Sequence, residues 1–141
     1  MKVFLDANII IDFLADRGVF TGQAKKLFAT ALSSQNIGLT TSTHALATTF
    51  YILNKLGNTA VLKNTLLRLT ELVEVLDVTR DAVVKALLDA SFTDFEDGIQ
   101  FHTARSQQGI DFIITRNLKD FSNSTIPAIS VDEFLLRYGE K

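Results

Sequence analysis

One segment near the start of the chain determines its architecture: Lys2-Val3-Phe4-Leu5-Asp6-Ala7-Asn8-Ile9-Ile10-Ile11-Asp12-Phe13-Leu14. Its first part, Val3 to Leu5, is a short apolar run typical of a strand that is buried on both faces. The apolar residues that follow have the spacing of a helix packed on one side. Asp6 lies at the junction. It is either the N-cap of that helix or the first member of an acidic site, because ligands collect at the carboxyl ends of parallel strands.

The composition predicts a single soluble domain over residues 1–141. A chain of 141 residues with 47% hydrophobic residues can form one core but is too short for two ordinary domains. It contains no cysteine, which excludes disulfides and thiolate metal sites. The sequence shows neither the pattern of a signal peptide nor an apolar run of the roughly 20 residues that a membrane helix needs. We therefore expect a cytoplasmic protein that does not associate with membranes.

The charge of the chain limits how it could bind nucleic acid. The net charge is −2, from 14 basic and 16 acidic residues. This balance argues against binding through a general basic surface. It is compatible with an enzyme whose acidic centre binds cations and whose basic residues lie around that centre.

Hydrophobic periodicity predicts alternating strands and helices along the rest of the chain. Beyond the first strand and helix, we predict strands at about 36–41, 72–78, 111–115 and 126–130. The predicted helices span about 22–34, 43–56, 60–69, 79–90, 93–108 and 131–138. Strands separated by helices of this length pair in parallel through crossovers. The pattern thus predicts an α/β fold, a three-layer α/β/α sandwich with a parallel central sheet.

A second acidic cluster opens one of these helices at Thr93-Asp94-Phe95-Glu96-Asp97. Its threonine and glutamate form the pattern of a capping box, and an acid in the first turn complements the helix dipole, so we assign Asp94 and Glu96 to helix capping. Asp97 differs, because it falls on the same line of the helix as Phe101, a candidate to face the sheet. A half-buried carboxylate without a partner is costly, and a metal ion would provide a partner.

A third polar cluster, Thr115-Arg116-Asn117-Leu118-Lys119-Asp120-Phe121, follows the apolar strand at 111–115. Asn117 and Asp120 are either ordinary turn residues or ligands at the strand end. Arg116 and Lys119 are positioned to contact phosphate, although on a polar loop such side chains are more often simply solvated.

Three further polar residues are not assigned to the site. Asp12 is expected to be solvated, because it lies on another side of the first helix than Asp6. His44 and His102 are lone histidines without zinc-like spacing, and we expect them to be ordinary polar residues with satisfied hydrogen bonds.

The acids Asp6, Asp97 and Asp120 favour a site for Mg²⁺ or Mn²⁺. These ions take oxygen ligands, retain several waters, and usually bind one or two protein carboxylates together with a substrate phosphate. Carboxylates that converge at strand ends meet this requirement. Such a site could support phosphodiester hydrolysis, because the metal neutralises the phosphate and lowers the pKa of a water.

The order of these motifs resembles the PIN-domain family, the metal-dependent ribonuclease fold of VapC-type toxins. The family opens with a strand followed by Asp-x-Asn, as in Leu5 to Ile9. It carries an acid at the start of a later helix, often in an Asp-x-Glu-Asp run, as in Asp94 to Asp97. Near its end it has a Thr-Arg-(Asp/Asn)…Asp-Phe segment, as in Thr115 to Phe121, and then a short strand and helix. No single motif is specific for this family, but the three motifs in this order are. The resemblance covers nearly the whole chain.

The resemblance implies a Mg²⁺- or Mn²⁺-dependent ribonuclease that acts as the toxin of a toxin–antitoxin pair. It implies Asp6, Asp97 and Asp120 as metal ligands, with Asn117 as a further member of the catalytic site. Family members commonly form homodimers and are inhibited by a small antitoxin that inserts into the acidic groove. RNA, an antitoxin and a second copy of the chain are therefore the expected partners.

Two departures from the family pattern leave a second hypothesis open. PIN nucleases usually carry a glutamate in the helix that corresponds to residues 43–56, where this chain has no acid and Thr48 is the expected occupant. In addition, Asn117 stands where many members have aspartate. The alternative is therefore a catalytically weakened PIN domain that binds RNA or a protein partner without cleavage.

Overall fold

The computed structural model of the protein describes residues 1–139. Its strands are β1 (Lys2–Leu5), β2 (Gly38–Ser42), β3 (Glu74–Leu76), β4 (Ile110–Ile114) and β5 (Ala128–Ile129). Its helices are α1 (Ala7–Leu14), α2 (Val19–Ser33), α3 (Thr43–Leu53), α4 (Thr59–Leu72), α5 (Arg80–Leu88), α6 (Phe95–Ser106) and α7 (Val131–Tyr138). Among these described residues, no helix is both long enough and apolar enough to cross a bilayer.

The five strands form one parallel sheet in the order β3-β2-β1-β4-β5. β1 is therefore the central strand, with β2 and β4 hydrogen-bonded to its two sides. Val3, Phe4 and Leu5 are fully buried, as predicted for a strand covered on both faces. The predicted parallel α/β architecture is confirmed. Because the strands are parallel, the residues that follow β1, β2 and β4 meet at one edge of the sheet.

Alternation along β1 divides the core between the two faces of the sheet. Val3 and Leu5 pack against apolar side chains of α1, α2, α4 and α7. Phe4 packs on the other face, in a cluster with Phe101 of α6 and Phe121 of the loop after β4. α5 in turn contacts α6. Helices thus cover both faces and give the three predicted layers.

The ends of several elements differ from the predicted bounds. α3 ends at Leu53, three residues early, and α2 already begins at Val19, directly after Gly18, whose φ of 63° suits glycine. β2, β3 and β5 are also shorter than predicted, whereas β4 has the predicted length. Hydrophobic periodicity identifies the interior of an element, whereas caps and turn hydrogen bonds determine where it ends.

Candidate functional site

A cavity of about 260 Å³ opens at the carboxyl edge of the sheet. Its walls come from the β1–α1 junction, α3, the start of α6 and the loop after β4. Four carboxylates line it: Asp6, Asp94, Glu96 and Asp97. A larger cavity of about 630 Å³ between α2 and α7 contains a single carboxylate, that of Asp132. The concentration of acids, rather than size, therefore marks the smaller cavity as the candidate site.

Asp6 is both a helix cap and part of the cavity wall. Its side chain is buried, and the Ala7 N–H donates to its Oδ1 at 2.8 Å as the cap of α1. Its Oδ2 accepts hydrogen bonds from Thr115 Oγ1 at 2.8 Å and from Asn8 Nδ2 at 3.2 Å. The two alternatives for Asp6 are thus compatible. Burial raises the pKa of Asp6 above its usual value, although these hydrogen bonds oppose the rise.

Asn8 and Thr115 fix the position of Asp6 and connect α1 to the loop after β4. Asn8 Oδ1 accepts a hydrogen bond from the Arg116 N–H at 3.3 Å. Thr115 Oγ1 accepts one from the Asn117 N–H at 3.0 Å. The sequence analysis quoted both side chains within motifs but assigned neither to the site. The available signal was their position just after the ends of two strands, β1 and β4.

Asp97 lies in the first turn of α6 and lines the same cavity as Asp6, so the structure brings the two predicted acids together. Its side chain is 7% exposed. Within residues 1–139, no hydrogen bond reaches its carboxylate. Burial raises the pKa of Asp97 to about 7, and the negative charges of Asp6, Asp94, Asp120 and Glu96 add to the rise.

The loop after β4 brings Asn117 to the cavity but leaves Asp120 farther out. Asn117 lines the cavity, whereas Asp120 is exposed and does not line it. The Asp120 N–H donates to the Asn117 carbonyl oxygen at 3.0 Å, which makes this segment a tight turn. The charge of Asp120 nevertheless contributes to the raised pKa of Asp97. Asp120 is thus within electrostatic reach of the site.

The cap of α6 differs from the predicted capping box. The N-cap is Asp94 rather than Thr93, and its Oδ1 accepts a hydrogen bond from the Asp97 N–H at 3.0 Å. The assignment of Asp94 to capping is therefore correct, but Glu96 takes no part in a box and lines the cavity instead. Asp94 fixes the backbone of Asp97 and adds a negative charge beside it.

The expectation that Asp12 is solvated is wrong, and its partner is Arg116. Asp12 is buried rather than solvated, and both of its oxygens bind Arg116, at 2.8 Å to Nε and 3.1 Å to Nη2. The Arg116 guanidinium also lies over the Phe20 ring, 4.2 Å from its centroid. This paired arrangement matches the planar fork of arginine to a carboxylate. Arg116 therefore joins the loop after β4 to α1 through an ion pair that the sequence analysis did not predict.

α3 contributes uncharged and basic side chains to the cavity. Thr48 lines it, as predicted, whereas Leu46 packs against the core. His44, one turn earlier, lines it too. Its Nε2 lies 3.4 Å from Glu96 Oε1, but it forms no hydrogen bond of standard geometry among the described residues.

The two histidines therefore behave differently. His102 is satisfied as expected, because its Nε2 pairs with Asp89 Oδ2 at 2.8 Å. His44 is a cavity residue that the sequence analysis did not assign to the site. Gln100, on α6 one turn after Asp97, is a second such residue.

The donor set of the cavity fits a cation that is held partly by water and substrate. In the part of the chain that the structure describes, no group of three or more His, Cys, Asp or Glu side chains is arranged to hold a metal ion. Asp6 and Asp97 offer two carboxylates, which is the number that Mg²⁺ often uses when waters and a phosphate complete its coordination. Burial and then the neighbouring negative charges raise the pKa of Asp97, and a bound cation would relieve both penalties.

The chain is similar in sequence and in structure to a known family of proteins. Residues 2–119 match the PIN domain family. The chain is 28% identical over 144 residues to Ribonuclease VapC1 of Aquifex aeolicus, an alignment that covers 97% of this chain and 95% of that protein. The crystal structure of VapC20 of Mycobacterium tuberculosis, described as a sarcin–ricin loop cleaving toxin, has a TM-score of 0.69 at 25% identity and covers 88% of this chain and 95% of its own. VapBC-1 of nontypeable Haemophilus influenzae has a TM-score of 0.70 at 22% identity, with coverage of 94% and 99%, and shares the fold.

The structure is that of a parallel α/β protein with an acidic cavity at the carboxyl edge of its sheet. Because the family match spans most of the sequence, the chain belongs to the PIN-domain family. The resemblance recognised in its three ordered motifs is confirmed.

Without metal, Asp97 should make the protein less stable at alkaline pH. The folded-state pKa of about 7 lies above the usual value of 3.8, so the folded state holds an extra proton between these pH values. The stability that this proton contributes is present below about pH 4 and lost as the pH rises through 7. At pH 8 in EDTA, Asp97→Asn should exceed the parent in free energy of unfolding by on the order of 1 kcal/mol. Urea denaturation at pH 5 and pH 8 measures the difference.

The exposed Asp77 provides a matched control, because Asp77→Asn removes the same charge from a side chain that does not line the cavity. That variant should follow the pH profile of the parent. If the free energy of unfolding changed equally with pH in Asp97→Asn and in the parent, the raised pKa of Asp97 would be contradicted.

Arg116→Met should destabilise the fold by leaving the Asp12 charge buried and unpaired. We expect a loss of roughly 2 kcal/mol or more at pH 7, because removing one partner of a buried ion pair isolates the other. The loss should shrink in acid, where Asp12 becomes protonated, and it should be largely recovered in Asp12→Asn/Arg116→Met. A loss of equal size at acidic and neutral pH would contradict this account of the pair.

Proposed function

We propose that the protein is a Mg²⁺- or Mn²⁺-dependent ribonuclease and the toxin of a toxin–antitoxin pair. The single observation that carries the proposal is the convergence of Asp6 and Asp97, two buried carboxylates, in one cavity at the carboxyl edge of the sheet. Such a pair is unfavourable without a cation, and a cation bound there attracts phosphate.

The comparisons support RNA as the substrate and a small protein as the inhibitor. The relative from Aquifex aeolicus, which matches over nearly its whole length, is named a ribonuclease. VapC20 is described as cleaving the sarcin–ricin loop, an RNA element. The structure from Haemophilus influenzae is of VapBC-1, and another similar structure, from Klebsiella pneumoniae, is described as a toxin–antitoxin complex. We extend these properties to this chain, together with a cytoplasmic location and a homodimeric state.

Each residue of the cavity has a distinct role in the proposed reaction. Asp6 and Asp97 would hold the cation, and Asn117 would orient the attacking water on the side of the loop after β4, while Asp120, outside the cavity wall, would act through its negative charge. Thr115 holds Asp6 in place through its hydroxyl. The bound Mg²⁺ or Mn²⁺ supplies Lewis acidity, which neutralises phosphate charge and favours attack by water. Because the chain has a net charge of −2 and no general attraction for RNA, a cation in the acidic cavity would help to bring an RNA phosphate to it.

A second candidate function is a PIN domain that binds RNA or a protein without cutting. The observation in its favour is Thr48, which lines the cavity from α3 where the family resemblance implies a glutamate. With that carboxylate missing, the cavity holds less negative charge, so its affinity for a divalent cation is lower. The two functions differ in one measurable property, which is turnover of RNA.

The parent protein, purified free of any antitoxin, should cleave RNA in Mg²⁺ or Mn²⁺ and lose this activity in EDTA. Asp97→Asn should lower the rate more than about 100-fold, which corresponds to about 3 kcal/mol of transition-state stabilisation. A panel of structured and single-stranded RNAs analysed on denaturing gels provides the measurement. Asp77→Asn, on the exposed surface, should cleave like the parent. Metal-independent cleavage, or an Asp97→Asn variant of parental activity, would rule the proposal out.

Thr48→Glu should tighten Mg²⁺ binding and increase RNA cleavage, because it adds a carboxylate to the wall where Thr48 lies. We expect about a tenfold gain in Mg²⁺ affinity, a little over 1 kcal/mol. Thr48→Gln is the matched control, since it adds the same bulk without charge and should gain neither property. Titration calorimetry measures the affinity. Tighter Mg²⁺ binding without any cleavage would favour the non-cutting function, and no change in either would show that α3 does not supply a ligand position.

A further inference from the structure

The buried amide of Gln100 presents an unused hydrogen-bond donor to the acidic cavity. Gln100 lies on α6 and is only 2% exposed, yet it lines the same cavity as Asp6 and Asp97. Its Nε2 has no hydrogen-bond partner among residues 1–139. Buried polar groups are nearly always hydrogen-bonded, so an unpartnered donor in a cavity wall calls for a physical reason.

The orientation of this amide follows from its neighbour Ser42. Ser42 Oγ accepts the Ala45 N–H at 2.9 Å as the cap of α3, and it lies 2.5 Å from Gln100 Oε1. This separation suits an O–H···O hydrogen bond and is shorter than N–H···O bonds normally are. The serine proton is therefore donated to Oε1. The opposite orientation would leave that proton without an acceptor, so the NH₂ group is the end left without a partner.

Neither of the two nearby acids satisfies the amide. The Gln100 amide lies close enough to Asp6 to act as a hydrogen-bonding neighbour that opposes the rise in the Asp6 pKa, but Nε2 forms no hydrogen bond of standard geometry with it or with any other described residue. A metal cation cannot accept a hydrogen bond from an amide N–H. The substrate would bring acceptor oxygens into the cavity in place of water. A phosphoryl group has such oxygens, and a neutral donor can bind them where carboxylates would repel them.

We propose that Gln100 Nε2 donates a hydrogen bond to a non-bridging phosphoryl oxygen of the bound RNA strand. This inference rests on the proposed function and deepens it, because it assigns a substrate contact to a residue outside the acidic set. Asp6 and Asp97 would hold the cation, and Gln100 would bind and orient the phosphate beside them. Ser42 acts through Gln100 as a positioning residue.

The first test is the near-isosteric variant Gln100→Met, with the exposed Gln108→Met as its matched control. The probes are Mn²⁺ alone, measured by calorimetry, and a pool of short single-stranded RNAs of randomised sequence, measured in single-turnover cleavage. We expect Gln100→Met to bind Mn²⁺ within about threefold of the parent and to cleave about 10- to 100-fold more slowly, as for loss of a hydrogen bond to a charged group. Gln108→Met should match the parent in both assays.

Two outcomes of that test would overturn the proposal. Cleavage by Gln100→Met at the parental rate would show that the amide does not contact the phosphate. A parallel loss of Mn²⁺ affinity, melting temperature and cleavage would show that Gln100 only supports the cavity wall.

The second test needs no cleavage and no knowledge of the RNA target. In ¹H–¹⁵N spectra of the full-length protein, the side-chain amide signals of Gln100 are those that disappear in Gln100→Met. Inorganic phosphate added in the presence of Mg²⁺ should shift these signals downfield, beyond any shift from Mg²⁺ alone. Signals unmoved by phosphate would overturn the proposal. Absence of cleavage by the parent on every RNA would instead count against the proposed function, because the phosphate titration still reports on the amide.

Discussion

Repulsion between two buried carboxylates governs the chemistry of this protein. Asp6 is fixed by hydrogen bonds from Ala7, Asn8 and Thr115, so it cannot turn away from the cavity. Asp97 has no such bonds among the described residues and is exposed to the charge of Asp6. Burial and, after it, this repulsion raise the pKa of Asp97 to about 7, because both penalise its charged form. A divalent cation would relieve the repulsion without protonation, and in the proposed function such a cation links the fold to phosphodiester chemistry.

The parallel sheet is the reason that these charges meet. Asp6 directly follows the central strand β1, and Thr115 directly follows its neighbour β4. α6 lies over the same edge, and its cap Asp94 directs the Asp97 side chain inward. On the outer side, the ion pair of Arg116 and Asp12 holds the loop after β4 against α1. The acids are therefore positioned by elements that are far apart in sequence and adjacent at one edge.

The sequence is informative where a local pattern has one structural meaning. The apolar run Val3 to Leu5 is typical of a buried strand, and the position of Asp6 follows from the rule that ligands collect where parallel strands end. The inward direction of Asp97 follows from the helical line that it shares with Phe101. Local patterns carry no information on contacts between distant segments. Arg116 and Asp12 are 104 residues apart, and Ser42 and Gln100 are 58 apart, so their pairing depends on how helices pack on the sheet. The prediction of Thr93 as the N-cap of α6 is wrong for a different reason. Threonine and aspartate are both good N-caps, and Thr93 and Asp94 are adjacent, so the sequence does not decide between them.

The central claim is that Asp6 and Asp97 share one divalent cation. Crystals of the protein grown with Mn²⁺ test it directly, since anomalous scattering locates manganese without reference to activity. The account predicts a peak in the cavity within about 2.0–2.3 Å of an oxygen from each of the two carboxylates. Manganese bound elsewhere on the molecule, with no peak between Asp6 and Asp97, would contradict it.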